Sequence, residues 1–464
     1  MAEQHDFGLV GLGVMGRNFI LNVADHGFSS MGLDTDNEKV DALKSEGSNV
    51  KVDGTTDAAT FVKALKVPRK IMLLVPAGKP VDAVIETLLP HLDKDDIIID
   101  GGNSFFEDTE RRISYLEGKG IHFFGAGVSG GAKGARRGPS IMPGGNKEAY
   151  EHVRTIFEAA SAKVNGDPCV EYMGRGSAGN YVKMVHNGIE YGLMQLISEI
   201  YSVAKLGNGY SNEKLAGLFE HWNKGVLQSF LVEITAEIFK KKDELTGKDL
   251  VDMILDKAKQ KGTGKWTSQN AMDLGIPVPT IDAAVTMREI SAMKDQRVAA
   301  DTVYHTPSIG QDKPDDKTLE NALFFAFIVT YAQGMSQLTA ANQEYDYNLN
   351  LETIAKIWRG GCIIRAGLLE DIRKAFDQSA DLANIMLDEN FVRTLKTIEG
   401  DARIVVQFAV GSGIPVSGLA SALSYFDAFR SGSLPLNLIQ AQRDHFGSHT
   451  YERVDRAGVF HTEW

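Results

Sequence analysis

The chain has 464 residues, which is enough for two or three domains of ordinary size. Hydrophobic residues make up 43% and charged residues 24%, the balance of a globular protein with sizeable cores. The net charge of −12 disfavours nucleic acid and anionic membrane surfaces as partners, so an anionic ligand requires a local pocket of cations.

The two cysteines, Cys169 and Cys362, lie far apart in the sequence and form no C-x-x-C motif. This excludes a disulfide framework and a cysteine zinc site, and it suits a reducing compartment. The N-terminal segment MAEQHDFGLVGLG lacks the pattern of a signal peptide. The most apolar run, residues 322–329, is much shorter than the ~20 residues that span a bilayer. We therefore expect a cytoplasmic protein.

Short apolar runs alternate with amphipathic stretches in the first third of the chain. The predicted strands are residues 7–10, 29–33, 50–52, 71–75, 97–99 and 122–124, and two further runs, 140–142 and 170–172, are candidates to extend the sheet. Strands that alternate with helices at this spacing are typical of a parallel, doubly wound sheet. We predict an α/β domain over residues 1–176.

Helical periodicity replaces the strand pattern from Ser177 onward. Val185, Ile189, Leu193 and Leu196 follow the spacing i, i+4, i+8 and i+11, which predicts one long helix to about Lys205. The rest predicts a large all-helical domain over residues 177–435. Residues 436–464, which include RDHFGSHTYERVD, are aromatic and polar and form a C-terminal tail.

The helical part contains a faint internal repeat. At a constant offset of 136 residues, Leu215, Leu218, Trp222 and Gly225 recur as Leu351, Ile354, Trp358 and Gly361. Four matches are compatible with a duplicated helical unit and equally with a chance recurrence.

A glycine motif follows the first predicted strand and opens a helix. It consists of Gly11, Leu12, Gly13, Val14, Met15 and Gly16, a G-x-G-x-x-G sequence. In this context the first glycine makes a tight turn, the second lets backbone amides approach a pyrophosphate, and the third lets the helix pack on the strand. Since the helix N-terminus adds positive potential, the motif predicts a Rossmann-like dinucleotide site rather than a plain glycine turn.

The second predicted strand ends at Asp34, 18 residues after Gly16. A carboxylate there accepts hydrogen bonds from ribose hydroxyls and repels a 2′-phosphate, and Asp36 adds to the repulsion. The alternative is that Asp34 is an exposed turn acid. The pattern favours NAD over NADP as the cofactor.

Four separated motifs resemble one enzyme family. GVSGGAKGARRGPSIMPGG at 127–145 resembles the substrate fingerprint of the β-hydroxyacid dehydrogenases, and YVKMVHNGIEYG at 181–192 resembles the catalytic helix of the 6-phosphogluconate dehydrogenases. KGTGKW at 261–266 and RDHFGSHTYE at 443–452 are similar to the same family and not to its smaller relatives. The resemblance covers essentially the whole chain. It implies oxidative decarboxylation of 6-phosphogluconate to ribulose 5-phosphate in the oxidative pentose phosphate pathway.

The chain departs from the family pattern at three places. Asp34-Thr35-Asp36 stands where the family has an Asn-Arg-Thr that grips the 2′-phosphate of NADP, and Pro76 stands where a lysine is common. Both departures favour NAD, with NADP as a weaker alternative. Ala132-Lys133 replaces two glutamates, and the sequence does not explain this change.

Polar residues share one face of the long predicted helix. Lys183, His186, Asn187 and Glu190 fall at i, i+3, i+4 and i+7, within an arc of roughly 100°. Such a stripe alone is usually a solvated helix face. Beside the four motifs, it predicts catalytic groups in the seam between the two domains.

The chemistry of the predicted reaction needs a base and an acid. Lys183 serves as the base that takes the hydroxyl proton if its pKa falls below the free value of about 10.4. The protonated lysine then polarises the ketone while CO₂ leaves, which requires no metal, and Glu190 protonates the enediol.

The resemblance also implies the remaining contacts. The sugar acid is bound by Asn103, Ser129, Gly130, Gly131, His186 and Asn187. Its phosphate is bound by Tyr191, Lys261, Thr263 and Arg288, with Arg443 and His449 from the tail. The cofactor contacts Thr35, Val75, Pro76, Ala77 and Asn103 in addition to the glycine motif and Asp34. The family forms homodimers in which the tail of one subunit completes the other's site.

Two other functions remain as alternatives. A dehydrogenase of the 3-hydroxyisobutyrate type would lack the KGTGKW and RDHFGSHTYE segments, and both are present. A catalytically silent NAD-binding scaffold would have lost the polar stripe, yet Lys183, Asn187 and Glu190 persist.

Overall fold

The computed structural model describes residues 4–304 and 312–464 of the chain, and its first part is built on a seven-stranded sheet. The strands are β1 Phe7–Val10, β2 Ser30–Leu33, β3 Val52–Thr55, β4 Lys70–Leu73, β5 Ile97–Asp100, β6 His122–Ser129 and β7 Ser140–Gly144. Their order is β3-β2-β1-β4-β5-β6-β7, and only β7 pairs antiparallel to its neighbour among the strands of this sheet. The predicted Rossmann-like, doubly wound sheet is confirmed. Of the two extra runs, the first became β7, whereas the second contributes one bridge, between Val170 and Ile141.

Helices cover both faces of this sheet. They are α1 Val14–Asp25, α2 Asn37–Glu46, α3 Ala58–Lys63, α4 Lys79–Leu88, α5 Phe106–Glu117, α6 Gly131–Arg137, α7 Lys147–Glu151 and α8 Arg154–Ala160, followed by a small hairpin, β8 Lys163–Val164 and β9 Asp167–Pro168. One apolar cluster includes Phe7, Phe19 and Phe157, and a second on the other face includes Phe61 and Leu116. Because both faces are buried, the central strands β1, β4 and β5 are mostly apolar runs rather than alternating ones.

The second part is helical and is packed around one large apolar cluster. Its helices are α9 Ala178–Ser202, α10 Asn212–Trp222, α11 Phe230–Lys240, α12 Leu250–Met253, α13 Thr263–Asp273, α14 Pro279–Ala292, α15 Lys294–Val303, α16 Asp316–Glu344, α17 Leu351–Trp358, α18 Leu368–Gln378, α19 Glu389–Gly411 and α20 Ser417–Phe429. The predicted long helix is α9, and a π-helical turn over Val203–Gly207 extends it. No helix within 4–304 and 312–464 is long and apolar enough to cross a membrane.

The internal repeat corresponds to a repeated arrangement of helices. A long helix, a short helix that ends in a buried tryptophan, and a third helix follow one another as α9–α10–α11 and again as α16–α17–α18. A second echo supports the duplication, because Gly-Ile-Pro-Val precedes both α14 and α20. The valines that end these segments, Val278 and Val416, have nearly the same φ and ψ angles, −127° and 48° against −136° and 50°. The duplicated unit accounts for the repeat.

Residues 436–464 are more structured than the sequence indicated. They form α21 Leu436–Gly447 and a short antiparallel pair, β10 Tyr451–Glu452 and β11 Val459–Phe460. The apolar side chains Leu436, Leu438 and Phe446 of α21 are exposed in a single chain. The helix therefore has no apolar stripe packed on its own chain. The sequence analysis did not predict this helix.

Candidate active site

The three glycines after β1 meet different surroundings. Gly11 has φ +96°, and a Cβ there would lie 2.6 Å from the carbonyl oxygen of Leu74. A Cβ on Gly16 would lie only 1.8 Å from the carbonyl oxygen of Gly11, whereas one on Gly13 would meet no atom within 4 Å. The turn and the close packing therefore belong to Gly11 and Gly16, and the open side of Gly13 at the start of α1 leaves room for a pyrophosphate.

Asp34 holds the glycine motif rather than lying free in solvent. Its side chain is 9% exposed, and Oδ2 accepts a hydrogen bond from the backbone N–H of Leu12 at 2.8 Å. Oδ1 accepts from the N–H of Asp36 at 3.1 Å and from Lys39 Nζ at 3.3 Å. Lys39 Nζ also lies 3.7 Å from Asp36. The two acids thus have a cation beside them. The sequence analysis overlooked Lys39, although it follows Asp36 by only three residues.

Lys183 is the first residue of the predicted catalytic face along α9 and is buried. Its Nζ is 3.4 Å from Nδ1 of His186. Burial lowers the pKa of Lys183, and the nearby Glu190 and Cys362 offset this only in part. Burial also raises the pKa of the Cys362 thiol to about 12, so that thiol is neutral at physiological pH. The lowered lysine pKa is the condition that a base requires.

His186 is fully buried behind Lys183. Burial and the neighbouring Lys183 hold the pKa of His186 well below its usual value of 6.5, so the ring is neutral. Its Nε2 lies 3.2 Å from Ser129 Oγ, and Trp358 packs edge-on against the ring. His186 Nδ1 also lies 3.1 Å from Asn187 Oδ1, so the ring connects Lys183, Asn187 and Ser129, and these contacts hold the amine in position.

Glu190 lies one helical turn beyond His186 on the same face, 3.9 Å from Nδ1 of that ring. Burial raises the pKa of Glu190, and Lys183 and Arg288 counteract part of the rise. A carboxyl group with a raised pKa retains its proton closer to neutrality. The site therefore contains a lysine shifted toward the neutral amine and a glutamate shifted toward the neutral acid.

Glycines on the sheet allow α9 to lie directly against it. A Cβ on Gly127 of β6 would be 2.3 Å from Cβ of Lys183, and one on Gly125 would be 1.6 Å from Oδ1 of Asn180. Gly144 of β7 leaves room in the same way for the backbone N of Gly179. The backbone of α9 is thus positioned by the sheet of the NAD binding domain itself.

The loop after β5 brings Asn103 to this helix. Asn187 Nδ2 is 3.4 Å from Asn103 Oδ1, and Asn180 Nδ2 lies 3.4 Å from the carbonyl oxygen of Gly102. Asn180 was missed by the sequence analysis, although it precedes Lys183 by one helical turn. Its buried amide joins the loop to α9.

A buried arginine on α5 supports the same loop from behind. Arg112 Nη1 lies 3.6 Å from Oδ2 of Asp100, the last residue of β5. Its Nη2 donates to the carbonyl oxygen of Gly78 at 3.0 Å, and its Nε donates to Asp82 at 2.8 Å. One side chain therefore contacts both the loop after β4 and the end of β5. Of the predicted cofactor contacts in the loop after β4, Val75 lies against Gly11, and Pro76 and Ala77 are exposed.

The segment after β6 forms the opposite wall. Ser129 contacts His186, and Gly130 and Gly131 follow with φ values of +108° and +62°. A Cβ on Gly130 would lie 2.5 Å from the carbonyl oxygen of Gly361, whereas one on Gly131 would meet open space. Ala132 and Lys133 are exposed on α6, and nothing in the structure explains why they replace an acidic pair.

Cations and donors gather at the far end of the catalytic face. The Arg288 guanidinium stacks 3.4 Å above the Tyr191 ring, and the backbone N of Lys261 is 3.5 Å from Tyr191 Oη. Gly262, with φ +98°, precedes Thr263, the first residue of α13. The free N–H groups in the first turn of α13, with Arg288 and Lys261, suit an anion such as a phosphate.

The two predicted tail ligands do not join this cluster within one chain. Arg443 Nη1 contacts Gln440, and His449 packs edge-on near Phe446 of the same tail. Both residues are exposed. Across 4–304 and 312–464, no hydrogen bond, ion pair or ring contact connects either of them to Lys183. Of the other predicted substrate residues, contacts connect one group near Lys183, made of Asn103, Ser129, His186 and Asn187, and a second group farther along α9, made of Tyr191, Lys261 and Arg288.

Two family models match the chain. The NAD binding domain of 6-phosphogluconate dehydrogenase matches residues 6–174, and the 6-phosphogluconate dehydrogenase C-terminal domain matches residues 179–464. Within the described part of the chain, no group of three or more His, Cys, Asp and Glu side chains is placed to hold a metal ion.

Curated relatives and a solved structure extend this likeness to the whole chain. The chain is 52% identical to the NADP(+)-dependent, decarboxylating 6-phosphogluconate dehydrogenase of Bacillus subtilis (strain 168), over 100% of this chain and 99% of that protein. It is 50% identical to the decarboxylating enzyme of Escherichia coli (strain K12), with the same coverage. Plasmodium falciparum 6-phosphogluconate dehydrogenase, solved in its apo form and in complexes with NADP+ and with 6-phosphogluconate, superposes with a TM-score of 0.95 at 46% identity, over 99% of this chain and 100% of that one. The chain belongs to the 6-phosphogluconate dehydrogenase family.

Proposed function

We propose that the chain oxidises and decarboxylates 6-phospho-D-gluconate to D-ribulose 5-phosphate and CO₂, with NAD as the preferred electron acceptor, in the oxidative pentose phosphate pathway. The observation that carries the proposal is the buried Lys183, which contacts the neutral His186, with Glu190 on the other side of that ring, on a helix packed against the dinucleotide-binding sheet. The two cysteines are free and buried, which suits an enzyme of the cytoplasm.

Lys183 acts as the base in the first step. The bound nicotinamide supplies the hydride acceptor for this oxidation. The neutral amine takes the proton of the substrate's secondary hydroxyl, and His186 holds that amine in place at 3.4 Å. The resulting ammonium then lies beside the new ketone oxygen and polarises it while the carboxylate leaves as CO₂.

Glu190 completes the reaction as an acid. Loss of CO₂ leaves an enediol, which becomes a ketose when C1 takes up a proton. Burial raises the pKa of Glu190, so its carboxyl group holds that proton nearer to neutral pH. Asn103, Asn187 and Ser129 supply hydrogen bonds for the sugar hydroxyls and the carboxylate.

We further propose that the substrate phosphate binds at the end of the face formed by Tyr191, Lys261, Thr263 and Arg288. Burial of Arg288 above the Tyr191 ring fixes its guanidinium, and a planar guanidinium binds phosphate through two parallel hydrogen bonds. The net charge of the chain is −12, so this local group of cations has to attract the anion.

The NAD preference rests on Asp34 and Asp36. By the family resemblance, Asp34 and Asp36 stand in the segment that grips the 2′-phosphate of NADP, where their charges would repel it, and Lys39 beside them neutralises them in part. Wild type should therefore use NAD with higher kcat/KM than NADP. Asp34→Asn together with Thr35→Arg should raise kcat/KM for NADP about tenfold or more, which corresponds to about 1.4 kcal/mol. Steady-state kinetics with both cofactors measure this, and a wild type that prefers NADP would show that Lys39 outweighs the two acids.

The tail is proposed to complete the site of a partner subunit in a homodimer. We divide the chain into a dinucleotide-binding domain (1–176), a helical substrate and dimerisation domain (177–435) and the tail (436–464). The exposed apolar side chains of α21 support this division, as does the contact of Arg443 with Gln440 of its own tail rather than, within the described residues, with the Lys183 cluster. Dimers that combine Lys183→Met with Arg443→Ala subunits should regain activity, because one site keeps its lysine and receives an intact tail. Mixed dimers without recovered activity would place the tail in its own subunit's site.

The reaction itself is tested with purified protein and 6-phosphogluconate. Absorbance of the reduced cofactor and released CO₂ should appear in equal amounts, with ribulose 5-phosphate as the sugar product. Reduced cofactor from 3-hydroxyisobutyrate alone would indicate a different β-hydroxyacid dehydrogenase, and cofactor binding without turnover of either acid would indicate a silent scaffold.

A further inference from the structure

The tail is organised around a buried carboxylate. Asp444 in the last turn of α21 is fully buried although nearly all residues around it are exposed. Its Oδ1 accepts hydrogen bonds from the N–H of Thr450 at 2.9 Å and from Nδ1 of His461 at 2.8 Å. Its Oδ2 accepts from the N–H of Thr462 and from the indole N–H of Trp464, each at 3.0 Å. Four donors from two separate stretches of the tail thus meet at one side chain.

The backbone around His449 needs this support. Ser448 and Thr450, the residues on either side, have φ values of +50° and +61°, a left-handed conformation that is uncommon for side chains other than glycine and rarest for β-branched ones. Thr450 is held on both sides, because its N–H donates to Asp444 and its carbonyl oxygen accepts from Nε2 of Gln440 at 2.6 Å. The turn that presents His449 is therefore maintained by two polar side chains.

Gln440 extends the same network to Arg443. Its Oε1 accepts a hydrogen bond from Arg443 Nη1 at 3.1 Å. The tail is not held together by an apolar core, since Phe446 is 72% exposed and Trp464 is 60% exposed. Arg443, His449 and residues 461–464 are therefore connected through Gln440 and Asp444.

We propose that Asp444, with Gln440 and residues 461–464, is a positioning centre that sets Arg443 and His449 in place before they meet the substrate phosphate. The inference rests on the proposed role of the tail. Asp444 does not touch the substrate in this scheme. It reduces the ordering that binding would otherwise require, because the turn and the guanidinium are held in advance.

The charge of Asp444 is essential to this role. An ionised carboxylate offers two acceptor oxygens, and each receives two donors here. An asparagine of the same shape would direct its NH₂ group at two other donors and leave them unsatisfied. Asp444→Asn therefore removes the polar centre without changing the volume of the side chain.

The test compares Asp444→Asn with Asp455→Asn in the full-length chain. Asp455 is an exposed acid of the same tail, paired with Arg453, and its substitution should leave KM unchanged. Asp444→Asn should raise the KM for 6-phosphogluconate about tenfold or more, with a smaller change in kcat and an unchanged Kd for NAD. Hydrogen exchange at the Thr450 and Thr462 amides should accelerate in the same variant.

Double variants separate this inference from the proposed function. If Asp444 acts through Arg443, adding Asp444→Asn to Arg443→Ala should raise KM much less than it does in wild type. An Arg443→Ala chain with wild-type KM would refute the tail's role altogether. A raised KM in Arg443→Ala but wild-type KM and amide exchange in Asp444→Asn would overturn the positioning centre alone. Should Asp444→Asn fail to fold, Trp464→Phe removes one donor and keeps the ring, and a KM equal to wild type there would count against the proposal.

Discussion

The two long helices α9 and α16 occupy matching places in a duplicated unit, yet a lysine, a histidine and a glutamate lie together on one face of α9 alone. At the offset of 136 residues that relates Trp222 to Trp358, the polar positions Lys183, His186, Asn187 and Glu190 correspond to Leu319, Ala322, Leu323 and Ala326, and at the offset of 138 residues that relates the two Gly-Ile-Pro-Val segments they correspond to Asn321, Phe324, Phe325 and Ile328. None of these counterparts is ionisable, and all except Asn321 are buried and apolar. The same helical framework is therefore compatible with an apolar face at this position.

The difference shows what the polar residues of α9 are for. A buried lysine and glutamate cost stability, since burial disfavours their charged forms. Among the buried polar groups of α16, Glu320 pairs with Lys317, and Gln333 and Thr330 form hydrogen bonds within the core. We infer that Lys183, His186 and Glu190 are retained for chemistry rather than for folding, and substitutions that make this face of α9 resemble α16 test the inference.

The largest expected effect comes from Lys183→Met, which gives α9 an apolar residue where α16 has a leucine. Loss of the base should lower kcat by about 10²- to 10⁴-fold, while the Kd for NAD is unchanged. Lys183→Arg is the matched control, because it keeps the charge but cannot lose a proton at physiological pH. It should be nearly as inactive, and near-wild-type turnover in either variant would remove Lys183 from the mechanism.

Glu190→Gln should have the next largest effect. An amide cannot donate the proton that C1 of the enediol requires, so formation of ribulose 5-phosphate should slow by about 10²-fold. The product is measured directly rather than through the reduced cofactor. Glu190→Asp retains an acid and should keep more activity, and an unchanged rate in Glu190→Gln would contradict the assignment.

Gly127→Ala tests the close contact between α9 and the sheet. The added methyl would lie 2.3 Å from Cβ of Lys183, so the helix or the strand must shift. A displacement of this size should lower kcat by about tenfold to 10²-fold. Gly400→Ala on α19, where a Cβ meets no atom within 4 Å, is the matched control and should retain full activity.

The smallest effect concerns stability and its dependence on pH. The pKa of Lys183 in the folded chain lies below its ordinary value of 10.5. At pH values between the folded-state pKa and 10.5, the unfolded chain therefore holds a proton on this lysine that the folded chain lacks. The free energy of unfolding contributed by Lys183 therefore rises with pH across that window and is lowest below it. Lys183→Met should raise the free energy of unfolding by about 0.5–2 kcal/mol at neutral pH, and the gain should shrink as the pH approaches 10.5.

Thermal unfolding at several pH values measures this gain. Lys63→Met, at an exposed position on α3, is the control and should show no comparable trend. If Lys183→Met is less stable than wild type at neutral pH, the packing of the lysine side chain stabilises the fold by more than burial of its charge destabilises it.

Local patterns in the sequence predicted the parts of the molecule that depend on local structure. The strands and the helix that begins near Ser177 follow from apolar periodicity, and the catalytic face follows from spacing along one helix. The hydrogen bond between Asp34 and Leu12 joins groups 22 residues apart whose distance depends on the tertiary fold, so the sequence indicated only that Asp34 is an acid after a strand. The Asp444 network was not predicted for the same reason. Its donors come from a turn and a chain segment with no regular period.

The buried Arg112 has a consequence for protein engineering. Its guanidinium serves the loop after β4 through Gly78 and the end of β5 through Asp100, so these two loops are not independent modules. A chimera that grafts either loop from a relative would leave this guanidinium with a mismatched partner unless α5 is transferred too. Recombination libraries of this enzyme should therefore place their crossover points before β4 and after α5, and inherit the intervening segment as one block.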